Sequence, residues 1–213
     1  MHREGVGKIW GYGRAEGPIP VAYEPWESPL GQNLVTGVDN AAGRGAPGFH
    51  NPCSYIGKME MDGEIWNERG TADEFPYVGM TYRVTEHWQA GQMTRNLPWL
   101  VELQPQPFAE LDEELAAGKG IKSGDIVEVS VARGAVEVVA IVTNRFQPLM
   151  IGGKKVHQVG VPWHWGYTGY STGISPNGSS GNVLTPHVGD ANTTIPEYKT
   201  FLCNIKFVRK GGE

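Results

Sequence analysis

The chain has 213 residues, enough for one domain with a long extension or for two small domains. Its 30 glycines and 15 prolines make up a fifth of the sequence, where roughly an eighth is usual, and this excludes a mainly helical protein. A formal charge of −5 excludes a nucleic-acid partner held by a basic surface, and no apolar run is long enough for a transmembrane helix, so direct membrane insertion is not expected.

Residues 1–80 hold many turn-formers and almost no periodicity: Gly11-Tyr12-Gly13, Gly17-Pro18-Ile19-Pro20, Glu24-Pro25-Trp26 and Ser28-Pro29 follow one another too closely for a helix. The first residues, Met1 to Gly7, lack the apolar core of a signal peptide. Trp10, Tyr12, Tyr23, Trp26, Phe49, Tyr55, Trp66, Phe75 and Tyr77 are scattered through the stretch, more aromatics than a disordered tail carries. The reading is an irregular arm, 1–80, that lays aromatic anchors on a partner chain. Cys53, in His50-Asn51-Pro52-Cys53, has the spacing of half a zinc site with no second half in view. Two cysteines are too few for a four-thiolate cluster, and Cys203, in Phe201-Leu202-Cys203-Asn204-Ile205, reads as a small buried thiol.

From residue 81 the texture becomes that of a β-domain, 81–213. Thr81 to Val84 reads as a short strand, Phe108 to Gly118 as a brief helix with Asp112 as N-cap and Gly118 or Gly120 as its stop. Ile126 to Val131 alternates apolar and polar, Arg133-Gly134 is a tight turn, and Ala135 to Thr143 pairs back as a Val-rich strand. Pro148 to Ile151 and Val156 to Val159 form a second hairpin around Gly152-Gly153-Lys154-Lys155, and Thr200 to Val208 is the last strand. These elements predict a mainly β fold, a small barrel with a short helix and with its polar loops gathered at one end. No internal repeat is visible.

The segment 85–107 is the most polar of all. Glu86, His87, Trp88, Gln89, Gln92, Thr94, Arg95 and Asn96 crowd hydrogen-bonding groups around Gly91. A buried strand of this composition would leave groups unpaired at about 1–3 kcal/mol each. It is therefore a loop, either presenting donors to a large polar ligand or packed by its own side chains. Val161-Pro162-Trp163-His164-Trp165-Gly166-Tyr167 is an aromatic strip at a strand end, and the Gly/Ser/Thr-rich residues 168–181 read as a ligand-side loop.

His87 through Asn96, Pro98-Trp99-Leu100, Gly124-Asp125, Pro162 through Gly166, Asn182-x-Leu184-Thr185-Pro186, Val188 through Asn192 and Pro196-Glu197-Tyr198-Lys199 occur in that order. As a set they resemble the C-terminal domain of the molybdopterin oxidoreductases, above all that of formate dehydrogenase large subunits. The likeness covers 81–213 well and 16–80 more loosely. It implies a double-psi β-barrel (aspartate-decarboxylase-like) closing over a bis(molybdopterin guanine dinucleotide) cofactor with molybdenum or tungsten, shared with a partner chain. It implies cofactor contacts by His87, Trp88, Gln89, Gly91, Met93, Thr94, His164, Trp165, Asn182, Tyr198 and Lys199. Without the likeness, Lys199 would read as a solvated strand-end lysine.

The pattern also departs from the family. The cysteine motif of an iron–sulfur centre and the metal-binding cysteine or selenocysteine followed by histidine are not in these 213 residues. The resemblance then implies the C-terminal piece of a large subunit split into two polypeptides, with no catalytic residue and no metal ligand of its own, and inactive alone. The partner fragment would carry the metal ligand and an iron–sulfur cluster, and further iron–sulfur subunits would carry electrons. The complex would be periplasmic if exported with its partner, otherwise cytoplasmic. Alternatives are the barrel subunit of formylmethanofuran dehydrogenase or a nitrate-reductase-like enzyme, a self-cleaving decarboxylase on the same barrel (Gly178-Ser179 offers the bond), and a cofactor-free binding module.

Overall fold

The computed structural model describes residues 25–30, 60–61, 64–65, 68–165, 181–188, 195–196 and 198–212, with 60–61 and 64–65 described by backbone alone. The elements, in chain order, are β1 (Glu60–Met61), β2 (Glu64–Ile65), β3 (Tyr77–Tyr82), α1 (Pro98–Leu103), β4 (Phe108–Leu111), α2 (Glu113–Lys119), β5 (Ile126–Val131), β6 (Gly134–Val142), β7 (Leu149–Ile151), β8 (Lys154–Val156), β9 (Gln158–Pro162) and β10 (Phe201–Arg209). Short 3-10 turns at Thr94–Asn96 and Gly181–Val183 complete them.

Six strands close into a barrel in the order β10-β3-β9-β4-β6-β5. The pairs β3/β9 and β4/β6 are parallel and the other four antiparallel. Exchanging β3 with β6, β4 with β9 and β5 with β10 maps every pair onto one of the same sense. The barrel thus has a pseudo-twofold built from two βββ units, the symmetry of the double-psi architecture. The amino-acid sequence shows no repeat because this symmetry lies in strand pairing, which any alternating apolar pattern satisfies.

Alternate residues of each strand fill the lumen: Val127, Val129 and Val131 of β5, Val136, Val138 and Ala140 of β6, Val159 and Val161 of β9, and Phe201, Cys203 and Ile205 of β10. Burying each such side chain stabilises by roughly 1.5–3 kcal/mol. Gly79 is where β3 and β10 come together: a Cβ there would lie 2.1 Å from the Phe201 ring. Leu115, Ala116 and Ile121 of α2 and its exit plug one end of the core, and Leu184 enters from the other. Cys203 is fully buried, and burial pushes its thiol far above the ordinary range.

The hairpin of β5 and β6 forms as the sequence predicts, but Val131 pairs with Gly134, so its turn is Ala132-Arg133 and Gly134 already belongs to the return strand. The second hairpin is β7 with β8, set outside the barrel, while Gln158–Pro162 is a separate barrel strand. Two expectations are corrected. The first barrel strand runs from Tyr77 to Tyr82 and not from Thr81 to Val84, because Val84 turns into the polar loop. Phe108–Leu111 is a strand and the helix starts only at Glu113. Asp112, at ψ 159°, takes the N-cap conformation and accepts from the Leu115 N–H at 2.9 Å, so the residues before it cannot be helical. Gly120, left-handed at φ 68°, ends the helix. A helix unforeseen in the sequence, α1, begins at Pro98, a residue favoured at the first helical position.

Of the arm, residues 25–30 and 68–70 lie against the barrel itself. Glu27 is fully buried and accepts from the Leu202 N–H of β10 at 2.8 Å. Trp10, Tyr12, Tyr23, Phe49, Cys53, Tyr55 and Trp66 lie outside the described residues, as does the Gly/Ser/Thr loop from 168 to 180.

Candidate functional site

Strand direction decides which loops meet. β3 and β9 are parallel, with Tyr82 beside Pro162, so the polar loop 83–97 and the strip Trp163-His164-Trp165 leave the same end of the barrel. β10 runs against β3, with Phe201 opposite Gly79, which places Tyr198 and Lys199 at that end too. β5 runs against β10 and so brings its turn with β6 there. The Gly181–Val183 turn joins them: a Cβ on Gly181 would lie 3.3 Å from the Trp163 Cβ. The β7–β8 hairpin, with Lys154, follows β6 and lies at the opposite end.

His164 is the peg of the polar loop. Its Nε2 accepts from the Val84 N–H at 2.9 Å and its Nδ1–H donates to the Gln89 carbonyl at 2.7 Å, so it grips the loop at both sides of its first turn. Those partners require the neutral tautomer with the proton on Nδ1. Burial, and after it the charges of His87 and Arg83, hold its pKa below 6.5. Gln89 sits at φ 51°, and Gly91 at φ 82° packs where a Cβ would be 2.3 Å from the His164 carbonyl oxygen. Only glycine fits there. Gly91 N–H donates to Trp88 O at 2.8 Å, and Trp88 N–H to Thr94 Oγ1 at 3.0 Å.

His87 is also buried, and its Nε2–H donates to the Gln104 carbonyl at 2.7 Å, fastening the loop to the end of α1. Its ring meets Trp165 edge-on at 5.4 Å. Burial lowers its pKa, leaving a neutral ring whose Nδ1 has no hydrogen-bond partner among the described residues. Among the same residues the Nε1–H groups of Trp163 and Trp165 likewise lack acceptors.

Beside this knot stand two cations. Arg83, just past β3, places its guanidinium 5.0 Å from the Trp163 ring centre. Lys199 lies over the Tyr198 ring at 5.2 Å and donates to the Thr81 carbonyl at 2.8 Å. Tyr198 is held in turn, its carbonyl accepting from Thr81 Oγ1 at 2.6 Å. Partial desolvation, and after it the nearby Arg83 charge, hold the Lys199 pKa below 10.5. Among the described residues neither cation has a carboxylate partner. Two mutually repelling cations held near aromatic rings can hold an anion such as a phosphate. A dinucleotide's pyrophosphate fits this donor set.

The eleven sequence-predicted residues therefore divide by position. His87, Gln89, Gly91, Thr94, His164 and Trp165 form the loop and the knot beneath it, with their described polar contacts made to the protein. Trp88 and Met93 stand on the outer face, 56% and 66% exposed, and Asn182 is exposed on its turn. Lys199 is one of the two cations, and Tyr198 lies beneath it. Arg83 was missed by sequence reasoning; its signal was a lone basic residue between a strand and a loop of hydrogen-bonding groups. Among the described residues no group of three or more His, Cys, Asp or Glu is placed to hold a metal ion, and no helix is long and apolar enough to cross a membrane.

Residues 77–202 match the molydopterin dinucleotide binding domain. The formate dehydrogenase subunit alpha of Megalodesulfovibrio gigas is 42% identical over 96% of this chain and 18% of its own length. The formate dehydrogenase-O major subunit of Escherichia coli is 41% identical over 98% of this chain and 19% of its own. The periplasmic nitrate reductase of Desulfovibrio desulfuricans is 36% identical over 46% of this chain. The chain thus spans about a fifth of the length of the formate dehydrogenase subunits it matches. A closed six-stranded barrel, with loops and a cation pair gathered at one end, and a family match from its first strand to its last bring one conclusion: the chain belongs to the molydopterin dinucleotide binding domain family.

Proposed function

We propose that this chain is the cofactor-binding portion of a molybdenum or tungsten formate dehydrogenase, and that its barrel end binds a bis(molybdopterin guanine dinucleotide). The observation that carries the reading is the Arg83–Lys199 pair, set beside Tyr198 and Trp163 with no carboxylate partner among the described residues. In this reading Arg83 and Lys199 hold pyrophosphate oxygens. Asn182, Trp88 and Met93, exposed at the same end, contact the pterin and guanine arms. His87, Gln89, Gly91, Thr94, His164 and Trp165 shape the loop that carries them.

When bound, the cofactor's metal supplies the redox chemistry between formate and CO2. The chain's own residues bind it, orient it and keep water out. The metal ligand, the acid–base histidine and the formate-binding arginine belong to the part of the large subunit outside these 213 residues, and the iron–sulfur clusters to that part and to electron-transfer subunits. Trp99 and Leu103, both more than half exposed, suit a surface that this remaining protein covers. Formate is favoured over nitrate because the formate dehydrogenases match nearly the whole chain, arm included, and the nitrate reductase less than half of it.

The test is to purify the protein with whatever co-elutes, then assay metal, guanine released by acid, and reduction of a dye by formate and oxidation of a dye by nitrate. The expected result is metal and guanine together with formate-dependent dye reduction in the complex, and none by the 213 residues alone. A complex lacking both guanine and metal would overturn the cofactor reading; nitrate turnover without formate turnover would overturn the substrate.

A further inference from the structure

Arg133 occupies the turn between β5 and β6, at the cofactor end, and its side chain is only 4% exposed. Its guanidinium donates to Glu27 Oε1 at 2.6 Å and Oε2 at 3.1 Å, to the Glu68 carbonyl at 2.7 Å and to the Leu184 carbonyl at 2.8 Å. Glu27, fully buried, also accepts from the Gly70 N–H at 2.6 Å and the Leu202 N–H at 2.8 Å. The pair therefore knots the arm at 27 and 68–70, the β5–β6 turn, the 181–188 segment and the start of β10.

The 181–188 segment is gripped from both sides. Gly181 rests on Trp163, and the Leu184 carbonyl is held by Arg133 while its side chain plugs the barrel. Between these fixed points stands Asn182. Stability alone is a weak account of the pair, since an apolar pair of similar volume often replaces a buried ion pair without loss. An apolar pair cannot, however, donate to the Leu184 and Glu68 carbonyls.

We propose that Glu27 and Arg133 form a positioning clasp through which the docked arm sets the Asn182 turn for dinucleotide binding. This rests on the cofactor reading of that end. Neither residue touches the ligand; Arg133 acts through Leu184, and Glu27 through Arg133.

The test compares the complete protein with its E27M/R133M and R133K variants. A lysine keeps a charge against Glu27 but lacks the fork that reaches Leu184 as well. Hydrogen exchange across 181–188 and the rate of guanine release on dialysis are measured beside the thermal midpoint. Losing a charge-assisted bond should speed both by about tenfold or more. The double variant also leaves the Gly70 and Leu202 N–H groups without their acceptor and is expected to melt below the wild type. The expected loss is exchange speeded at 181–188 beyond that in β5 and β6, with faster guanine release, and R133K is expected to show both if the double variant does not fold. Wild-type exchange at 181–188 in either folded variant would overturn the clasp. Faster exchange with unchanged guanine release would overturn its link to the ligand. A wild-type protein without dinucleotide would refute the cofactor reading alone, and exchange would still decide whether the pair sets the turn.

Discussion

Lys199 shows how a single group can report on the site. On the proposed reading, Lys199→Ala removes one charge-assisted bond to the cofactor and should cost about 1.5–3 kcal/mol of its retention, while the exposed side chain contributes little to the barrel. Guanine and metal content after dialysis, set beside the melting midpoint, checks this: retention should fall and the midpoint hold. Because the Lys199 pKa lies below 10.5, the ammonium loses its proton early on the alkaline side. Retention should weaken as pH rises through that depressed value, and Lys199→Arg should move the loss upward. The buried histidines act at the acid side. His87 and His164 are neutral when folded, with pKa values below 6.5, whereas the unfolded chain protonates them near 6.5. The unfolded state thus takes up protons first as pH falls. Stability should be full above about pH 6.5 and decline below it, by at most about 1.4 kcal/mol per pH unit for each histidine, until the folded-state values are reached. Urea midpoints across that range check it. A profile of His164→Gln identical to wild type would remove His164 from the effect.

Among the elements, the turn carrying Asn182 and the β7–β8 hairpin carrying Lys154 stand at opposite ends of the barrel. Asn182→Leu should reduce guanine retention by about 0.5–1.5 kcal/mol, the worth of an ordinary hydrogen bond, and Lys154→Ala should leave it unchanged. Equal losses in dialysed protein would mean that the ends are assigned wrongly. Much at this scale was legible in the sequence. The alternation of Ile126 to Val131 and the Asp112 cap each express a local rule, and the structure obeys them; the tight turn falls one residue before the expected Arg133-Gly134, at Ala132-Arg133. Phe108–Leu111 was not legible, since four apolar-rich residues suit a strand or a helix and only the cap geometry decides. Nor was the His164 peg, whose two partners lie 80 and 75 residues away in the chain. The loop's polarity showed that its donors needed partners and left open whether a ligand or the loop itself would supply them; many of the described ones lie in the loop.

At the scale of the whole molecule, the arm and the barrel are one structure where they meet. Deleting residues 1–75 removes Glu27 and Glu68 and with them the buried ion pair and the cover that the arm lays over Arg133 and the Leu202 N–H. The trimmed barrel should therefore melt below the full chain, and calorimetry of both checks it. An unchanged midpoint would show that Glu27 contributes nothing to the barrel. The scattered aromatics of 1–80 gave no hint of this anchoring, because the residue that docks is a lone acid between Trp26 and Ser28.

The position of β10 in the barrel bears on how the protein is made. It is the last of the six strands in chain order, yet it lies between β3 and β5 and brings Lys199 with it. On the ribosome, β3 emerges more than a hundred residues ahead of that neighbour. At about 5–20 residues per second the edge waits on the order of ten seconds. During that interval the ring stays open and the Thr81 carbonyl has no ammonium to receive. On the proposed reading, a dinucleotide can be held between Arg83 and Lys199 only after β10 has emerged and closed the ring.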